Sequence, residues 1–241
     1  MTAFKRLRWT DIVLPVVVVV VAFVYGIYII RNPVDNMVKN YLTVNLITIS
    51  LRRHFYLIII SSLMAIATSV PLGIILTRQA FRKLTPFVVG LVNICQTIPS
   101  LAVIALFVGV LGIGSRTAIF ALWIYSLLPI LNNTIAGLNS VDPAIIDSAH
   151  GMGMTKLKIL GNVELPLAMP VIMAGIRTAV VINVATAVIA AYVGAGGLGD
   201  IIIAGKNINR WQAWSLGAMY ATGIALLLDH ILGVTERILT E

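Results

Sequence analysis

The chain has 241 residues, of which 59% are hydrophobic and only 11% are charged, and its mean hydropathy is +1.01. A soluble domain carries about 25% charged residues, so this composition excludes an ordinary soluble protein and indicates an integral membrane protein. The formal net charge of +8 is better explained by membrane topology and attraction to anionic lipid than by nucleic-acid binding.

Uncharged runs follow one another along the chain, and a helix that spans a bilayer needs roughly 20 such residues. The first run follows three basic residues but is longer than the apolar core of a signal peptide, so we expect it to be retained. The runs predict six transmembrane helices, over residues 12–30, 55–77, 84–115, 117–141, 178–199 and 211–228.

With the amino terminus in the cytoplasm, six spans place both termini there. Most Lys and Arg residues then lie on the cytoplasmic side, as the positive-inside rule requires. The adjacent Arg52 and Arg53 are the main exception, because they fall outside. The spacing of apolar side chains in residues 31–54 fits either a strand or an interfacial helix. The pattern leaves them as an external or interfacial segment.

The stretch GAGGLGD contains Gly194, Gly196 and Gly199 at the spacing G-x-G-x-x-G, which is typical of dinucleotide sites. Such a site also needs a short strand before the glycines and an acidic residue about 20 positions after them. Here a predicted span precedes them, and the next acidic residue after Asp200 is the distant Asp229. The glycines therefore predict a tight turn with positive φ angles.

The loop between the fourth and fifth runs contains strong helix signals. Asp142 followed by Pro143 predicts a helix start, and Gly151 and Gly153 predict its end about two turns later. A second helix is predicted over 155–163, before a Leu-Pro pair. The short first helix is either an ordinary loop element packed beneath the bundle or a docking helix for a groove on a partner. The residues alone favour neither.

The same loop resembles the motif E-A-A-x3-G-x9-I-x-L-P, which couples permease subunits of binding-protein-dependent ABC importers to their ATP-binding subunits. Asp replaces Glu, Ser replaces the first Ala and Val replaces Ile, while the spacing is complete. The resemblance implies that the following residues contact the ATPase: Asp147, Ser148, Ala149, Gly153, Val163, Leu165 and Pro166.

The resemblance extends over about residues 54–238. This region is similar to the osmoprotectant branch of the family, which imports glycine betaine, carnitine or choline. Its segments are VPLGIILTR, QTIPSLA, LPILNNTIAGL, VELPLAMPVIMAGIRTAV and GAGGLGD. Methionine-type importers share the coupling motif and remain an alternative. The resemblance divides the chain into residues 1–54, an extra transmembrane helix with an external or interfacial segment, and residues 55–241, a five-helix permease core.

The resemblance implies an all-α integral membrane protein with the type I ABC importer permease fold. It implies six transmembrane helices and a cytoplasmic coupling helix between the fourth and fifth spans. We then expect a location in the bacterial cytoplasmic membrane, with both termini inside. Expected partners are two ATP-binding subunits, a second permease copy or homologue, an extracytoplasmic binding protein and lipid. We expect no cofactor in the chain, because ATP and Mg²⁺ would be bound by the ATPase, and no enzymatic activity of its own.

Polar residues inside the predicted spans have two interpretations. They either bond to neighbouring helices around a kink at Pro99 or line the translocation path. The candidates are Asn93, Gln96, Thr97, Ser100, Asn183 and Thr186.

Arg177 begins the fifth run, and we hypothesise that it pairs with Asp147 or Glu164. Rival functions are a secondary transporter or channel that works without ATP and a membrane-embedded enzyme. Proton-driven carriers usually place acidic residues at mid-membrane. The sequence shows neither mid-span acids nor a catalytic cluster.

Overall fold

The computed structural model describes residues 9–240. Within that range the chain is almost entirely helical and contains no strand. Its α-helices are α1 (Trp9–Arg31), α2 (Asn36–Tyr41), α3 (Val44–Thr77), α4 (Thr85–Thr97), α5 (Ser100–Leu111), α6 (Ser115–Asn139), α7 (Pro143–Gly151), α8 (Lys156–Ile159), α9 (Leu165–Ala187), α10 (Leu198–Asn207) and α11 (Trp211–Thr240).

The bundle is built around α6, which packs against both α3 and α9. Helix α11 packs against α9 and also contacts α10 and the peripheral α1. Fully buried aliphatic side chains such as Leu57, Leu122 and Ile130 form the core between these helices. Most apolar side chains of α1 between Val13 and Val24 are exposed instead. That arrangement suits a helix whose outer face contacts lipid.

Five helices are long and apolar enough to cross a membrane, and a sixth span results if α4 and α5 together count as one. These two helices meet at a bend of 98°, so the run 84–115 is not the single continuous helix that its composition suggests. Pro99 causes the break, since it lacks an N–H and restricts the preceding residue. Ile98 is accordingly extended, with φ −75° and ψ 130°.

Residues 31–54, which the sequence left undecided, are mostly helical. Helix α3 begins at Val44, where the side chain of Thr43 accepts the backbone N–H of Leu46. With 34 residues, α3 is about 51 Å long, which exceeds a hydrocarbon core of about 30 Å. The predicted domain division at residue 54 therefore falls inside a continuous helix.

The segment between α1 and α2 is tied to the start of α11. Gln212 is buried; it accepts the backbone N–H of Val34 and donates to the carbonyl of Asn32, both at 2.8 Å. Arg210 also pairs with Asp35. Hydrogen bonds to Asp35, first that from the backbone of Val38, lower the pKa of its carboxyl group. Residues 31–43 thus pack against the bundle.

Two predicted boundaries are wrong near the fifth span. The predicted helix 155–163 does not end before the Leu-Pro pair, because α8 continues through a π-helical segment (Leu160–Glu164) directly into α9. The predicted span 178–199 starts too late, since α9 begins at Leu165 and Arg177 lies inside it. That charged residue interrupts the uncharged run but not the helix, because its charge is paired.

Candidate coupling site and polar clusters of the bundle

Helix α7 forms as the local signals predict. The side chain of Asp142 accepts the backbone N–H of Ala144 at 2.9 Å, and Pro143 occupies the first turn. After Gly151, Gly153 has a φ of +78°, a conformation that glycine adopts without a steric penalty. The helix is thus fixed at both ends, as we expected from Asp142 and the two glycines.

The solvent side of α7 combines charge with apolar surface. Asp147 and Ser148 are exposed, whereas Ala149 is buried. Met152 and Leu157, which follow α7, are 75% and 81% exposed. Large exposed apolar side chains directly after a short, capped helix suit insertion into a groove on a partner protein.

The remaining predicted coupling residues lie in the π-helical segment and the start of α9. Val163 and Leu165 are half-buried and Pro166 is exposed. The backbone N–H of Leu165 bonds to the carbonyl of Leu160, five residues back. Pro166 has no N–H to continue an α-helical ladder, and the wider π turn accommodates it at this junction.

Glu164, between two predicted coupling residues, makes the main polar contact of this region. Arg78, just after α3, donates from Nη1 and Nη2 to its two carboxylate oxygens at 3.1 and 2.6 Å. Arg78 Nε also donates to the carbonyl of Ile74 at 3.2 Å. We call the end of the bundle that carries α7 and this pair the loop side.

Our sequence reasoning missed Arg78 as a partner of Glu164. The available signal was its position at the end of VPLGIILTR, one of the segments that carried the family resemblance. A cleft of about 610 Å³ opens beside the pair, between the end of α3, α7 and α8. Its wall includes His150, Lys156 and Leu157, so it adjoins the exposed apolar surface.

The hypothesis that Arg177 pairs with Asp147 or Glu164 is wrong. Arg177 donates from Nε and Nη2 to Asp229 at 3.1 and 3.0 Å, and from Nη1 to Glu236 at 2.9 Å. Both acids lie on α11, which packs beside α9. Asp147 projects from the exposed face of α7, and Glu164 is occupied by another arginine.

The predicted pathway residues fall into two separate groups. In the first, Asn183 is fully buried between α3, α6 and α9. Its Nδ2 donates to Ser61 and Ser62 at 3.0 and 2.9 Å, and its Oδ1 accepts from Ser126 at 2.7 Å. We call these four residues the serine–asparagine joint. Thr186 lies on the same helix and is also buried.

The second group surrounds the break between α4 and α5. Asn93 and Thr97 are exposed, and Thr97 donates to the carbonyl of Ile94 at 2.7 Å. Gln96 Nε2 donates to the carbonyl of Tyr125 on α6 at 2.6 Å. Ser100 begins α5. Gln96 thus forms the interhelical bond expected beside a proline kink, while Asn93 and Thr97 face outward from this chain.

The glycines of GAGGLGD form the predicted turn in part. Gly194, Gly196 and Gly197 have φ angles of +67°, +81° and +99°, whereas Gly199 belongs to α10. An added Cβ on Gly199 would lie 2.0 Å from the carbonyl oxygen of Val188. This glycine is therefore required for close packing. We call the end of the bundle with residues 194–197 the turn side.

The turn rests on two consecutive residues of α3. A Cβ on Gly196 would lie 2.6 Å from Arg53 Cδ, and one on Gly197 would lie 3.2 Å from His54 Nδ1. Burial raises the pKa of Asp200, which follows the turn, and the positive charge of Arg53 opposes that shift. Among the described residues, no group of three or more His, Cys, Asp or Glu side chains could hold a metal ion.

These features define a helical membrane protein with a capped, exposed helix on one side and a glycine turn on the other. Residues 69–234 match the family model described as the inner membrane component of binding-protein-dependent transport systems. The chain belongs to this family and is a multi-pass membrane protein, as the sequence predicted.

Two relatives and one solved structure are similar over most of the chain. It is 44% identical over 187 residues to the glycine betaine/carnitine/choline transport system permease protein OpuCB of Bacillus subtilis (strain 168), covering 78% of this chain and 85% of the relative. It is 45% identical over 188 residues to the carnitine transport permease protein OpuCB of Listeria monocytogenes, with the same coverage of 78% and 85%.

The fold resembles an inward-facing structure of the MetNI methionine ABC transporter. The TM-score is 0.74 at 22% identity, covering 81% of this chain and 97% of the other. At that identity the likeness concerns the fold alone, and it confirms the expected type I importer permease architecture.

Proposed function

We propose that this chain is the membrane permease subunit of an ATP-driven importer for osmoprotectants such as glycine betaine, carnitine or choline. The observation that carries the proposal is 44% identity over 187 residues to a permease of that substrate range. The capped and exposed α7, at the position of the coupling motif, supports the ATP-driven mechanism.

In this proposal the loop side faces the cytoplasm, and so do both termini. Helix α7, with Asp147, Ser148 and Ala149, docks into a groove of an ATP-binding subunit that holds ATP and Mg²⁺. Gly153, Val163, Leu165 and Pro166 set the geometry of the segment behind it. Two copies of this chain, or one copy and a homologous permease, assemble with two ATP-binding subunits and an external binding protein.

Transport follows from a rigid-body movement. Closure of the two ATP-binding subunits displaces α7, and the bundle changes between states open to either side of the membrane. The chain itself catalyses no reaction. Quaternary amines are recognised through aromatic rings, and we place that recognition in the binding protein. Trp211 and Trp214 are about half exposed at the start of α11, where interfacial aromatic anchors are common.

Uptake of labelled glycine betaine, carnitine, choline and methionine tests this proposal. Cells that lack other such importers would express the chain with its ATP-binding and binding-protein partners. We expect ATP-dependent uptake of a quaternary amine that is lost when the chain is deleted. Uptake of methionine alone would overturn the osmoprotectant assignment, and uptake without ATP would overturn the ATP-driven mechanism.

A matched pair of variants tests the docking role of α7 in the same assay. Asp147→Ala and Lys83→Ala each remove an exposed charge outside the helical core. We expect the first to reduce uptake and the second to leave it unchanged, with equal amounts of protein in the membrane. Equal uptake by both variants would contradict the docking role of Asp147.

A further inference from the structure

Helices α3 and α9, with the turn that follows α9, are joined at three levels of the bundle. On the loop side, Arg78 and Glu164 form a two-pronged ion pair. In the middle, the serine–asparagine joint links α9 to α3 and α6. On the turn side, Gly196 and Gly197 lie directly on Arg53 and His54 of α3.

The loop-side contact is the link formed by two opposite charges. The side chain of Glu164 is only 10% exposed, and that of Arg78 is 39% exposed. A guanidinium that donates to both oxygens of a carboxylate fixes orientation as well as distance. Removal of either partner leaves the other charge partly buried without compensation.

The ion pair lies at the π-helical segment that joins α8 to α9. Between α8 and α9 the hydrogen bonds follow the π pattern over Leu160–Glu164, which is rare in helices and often marks functional sites. A displacement of α7 and α8 can therefore be absorbed by bending in this segment. The contact to Arg78 prevents this, because Glu164 itself belongs to the segment.

Helix α3 connects the two ends of the bundle. It stays helical through Pro71, and the 24 steps from Arg53 to Thr77, the residue before Arg78, correspond to about 36 Å along its axis. A movement imposed at its loop-side end therefore reaches the residues that support the glycine turn.

We propose that Arg78 and Glu164 are positioning residues for coupling, which make α3 and α9 move together with α7. The pair transmits the displacement of the docking helix into α3, and α3 carries it to the turn on the other side. This inference rests on the proposed function, since it presumes that α7 is driven by an ATP-binding subunit.

The test uses the complete complex in proteoliposomes, with the ATP-binding subunits and loaded binding protein. ATP hydrolysis and substrate uptake are measured together, so that their ratio reports coupling. The variants are Arg78→Ala, Glu164→Gln and the exchange Arg78→Glu with Glu164→Arg. Arg82→Ala is the matched control, because it removes an exposed arginine four residues further along the chain.

We expect each single variant to hydrolyse ATP but to import about tenfold less substrate per ATP, because residues on a coupling route change the coupling between the two sites without contacting either ligand. The exchange should restore the ratio to within about twofold of the unmodified complex, and Arg82→Ala should leave it unchanged. Arg78→Lys, which keeps the charge but not the fork, should give an intermediate ratio and serves if the alanine variant does not assemble.

An unchanged ratio in the single variants would overturn the inference. So would a ratio that falls but is not restored by the exchange, or hydrolysis and uptake that fall in equal proportion. The unmodified complex separates the two proposals. If it imports no quaternary amine, the proposed function fails; if it imports one and the variants keep its ratio, only the role of the pair fails.

Discussion

Two regions of the bundle bury polar side chains of α3 in opposite ways. In the serine–asparagine joint, the amide of Asn183 uses both donors and its acceptor on three serine hydroxyls. Seven residues before the first of those serines, His54 is fully buried, and neither of its ring nitrogens has a hydrogen-bond partner in the described part of the chain.

The difference indicates that the helices are fixed to one another at the serine–asparagine joint, whereas the contact between His54 and the glycine turn can change. A buried polar group without a partner costs about 1–3 kcal/mol, whereas a satisfied one is close to neutral or stabilising. The joint therefore holds α3, α6 and α9 in one arrangement. His54 lies beneath Gly197, so a turn that moves away would give its ring access to water or to another partner. We expect the turn side to be the adaptable end.

The largest expected effect on stability comes from adding a side chain at Gly199, where α10 packs closely against the residues that follow α9. In Gly199→Ala, the new Cβ would lie 2.0 Å from the backbone oxygen of Val188 and 2.8 Å from Cβ of Ala191. Because backbone must shift, we expect a loss of about 3 kcal/mol or more in the free energy of unfolding. Thermal unfolding of the purified protein in detergent measures it.

Gly109→Ala is the matched control, since a Cβ at this helical glycine of α5 would meet no atom within 4 Å. We expect it to be neutral or to stabilise the protein by about 0.5–1 kcal/mol, as is usual for glycine in a helix. Equal losses in both variants would show that the close packing of Gly199 does not matter.

The sequence predicted the features that depend on neighbouring residues. Asp142 and Pro143 mark the start of α7, and the turn glycines signal positive φ angles, because caps and turns are decided within a few positions. The long apolar runs likewise predict helices that can span a membrane. Each of these features can be read without knowing what lies across the bundle.

Partners that are distant in sequence could not be predicted in the same way. Arg177 bonds to acids more than 50 residues away on α11, and Arg78 bonds to Glu164 across 86 positions. A run of uncharged residues also misplaces a span when a paired charge lies inside the helix, as happened with α9. Asn183 was singled out as polar, but its serine partners depend on how three helices pack.

Asn183→Leu breaks the joint and should have the second largest effect. Ser61 donates its own proton to the carbonyl of Leu57, and the single proton of Ser126 can turn from Asn183 to the carbonyl of Leu122. The main loss is therefore the partner of Ser62. We expect the free energy of unfolding to fall by about 1–2 kcal/mol. Thr178→Val, on the exposed side of the same helix, should change it by less than about 0.5 kcal/mol. Similar values for both variants would mean that the joint is not a fixed point.

His54→Leu should have the smallest effect on stability and the opposite sign. Leucine fills a similar volume and carries no nitrogen to leave unpaired, so we expect either no loss or a gain of up to about 1 kcal/mol in the free energy of unfolding. The backbone of Val184 faces the ring without forming a hydrogen bond of acceptable geometry, so little is given up there. A loss as large as that of Asn183→Leu would show that the imidazole is satisfied after all.

The same variant also distinguishes a movable turn from one that is merely imperfect. In the present state Gly197 covers His54, and leucine removes the cost of the unpaired imidazole. If the imidazole carries no such cost once the turn has moved away, the substitution stabilises the present state relative to the moved one. A bias of about 1 kcal/mol changes such an equilibrium about fivefold, so we expect uptake by the complete complex to slow by a similar factor. Faster or unchanged uptake together with higher stability would mean that the contact of His54 with the turn persists throughout transport.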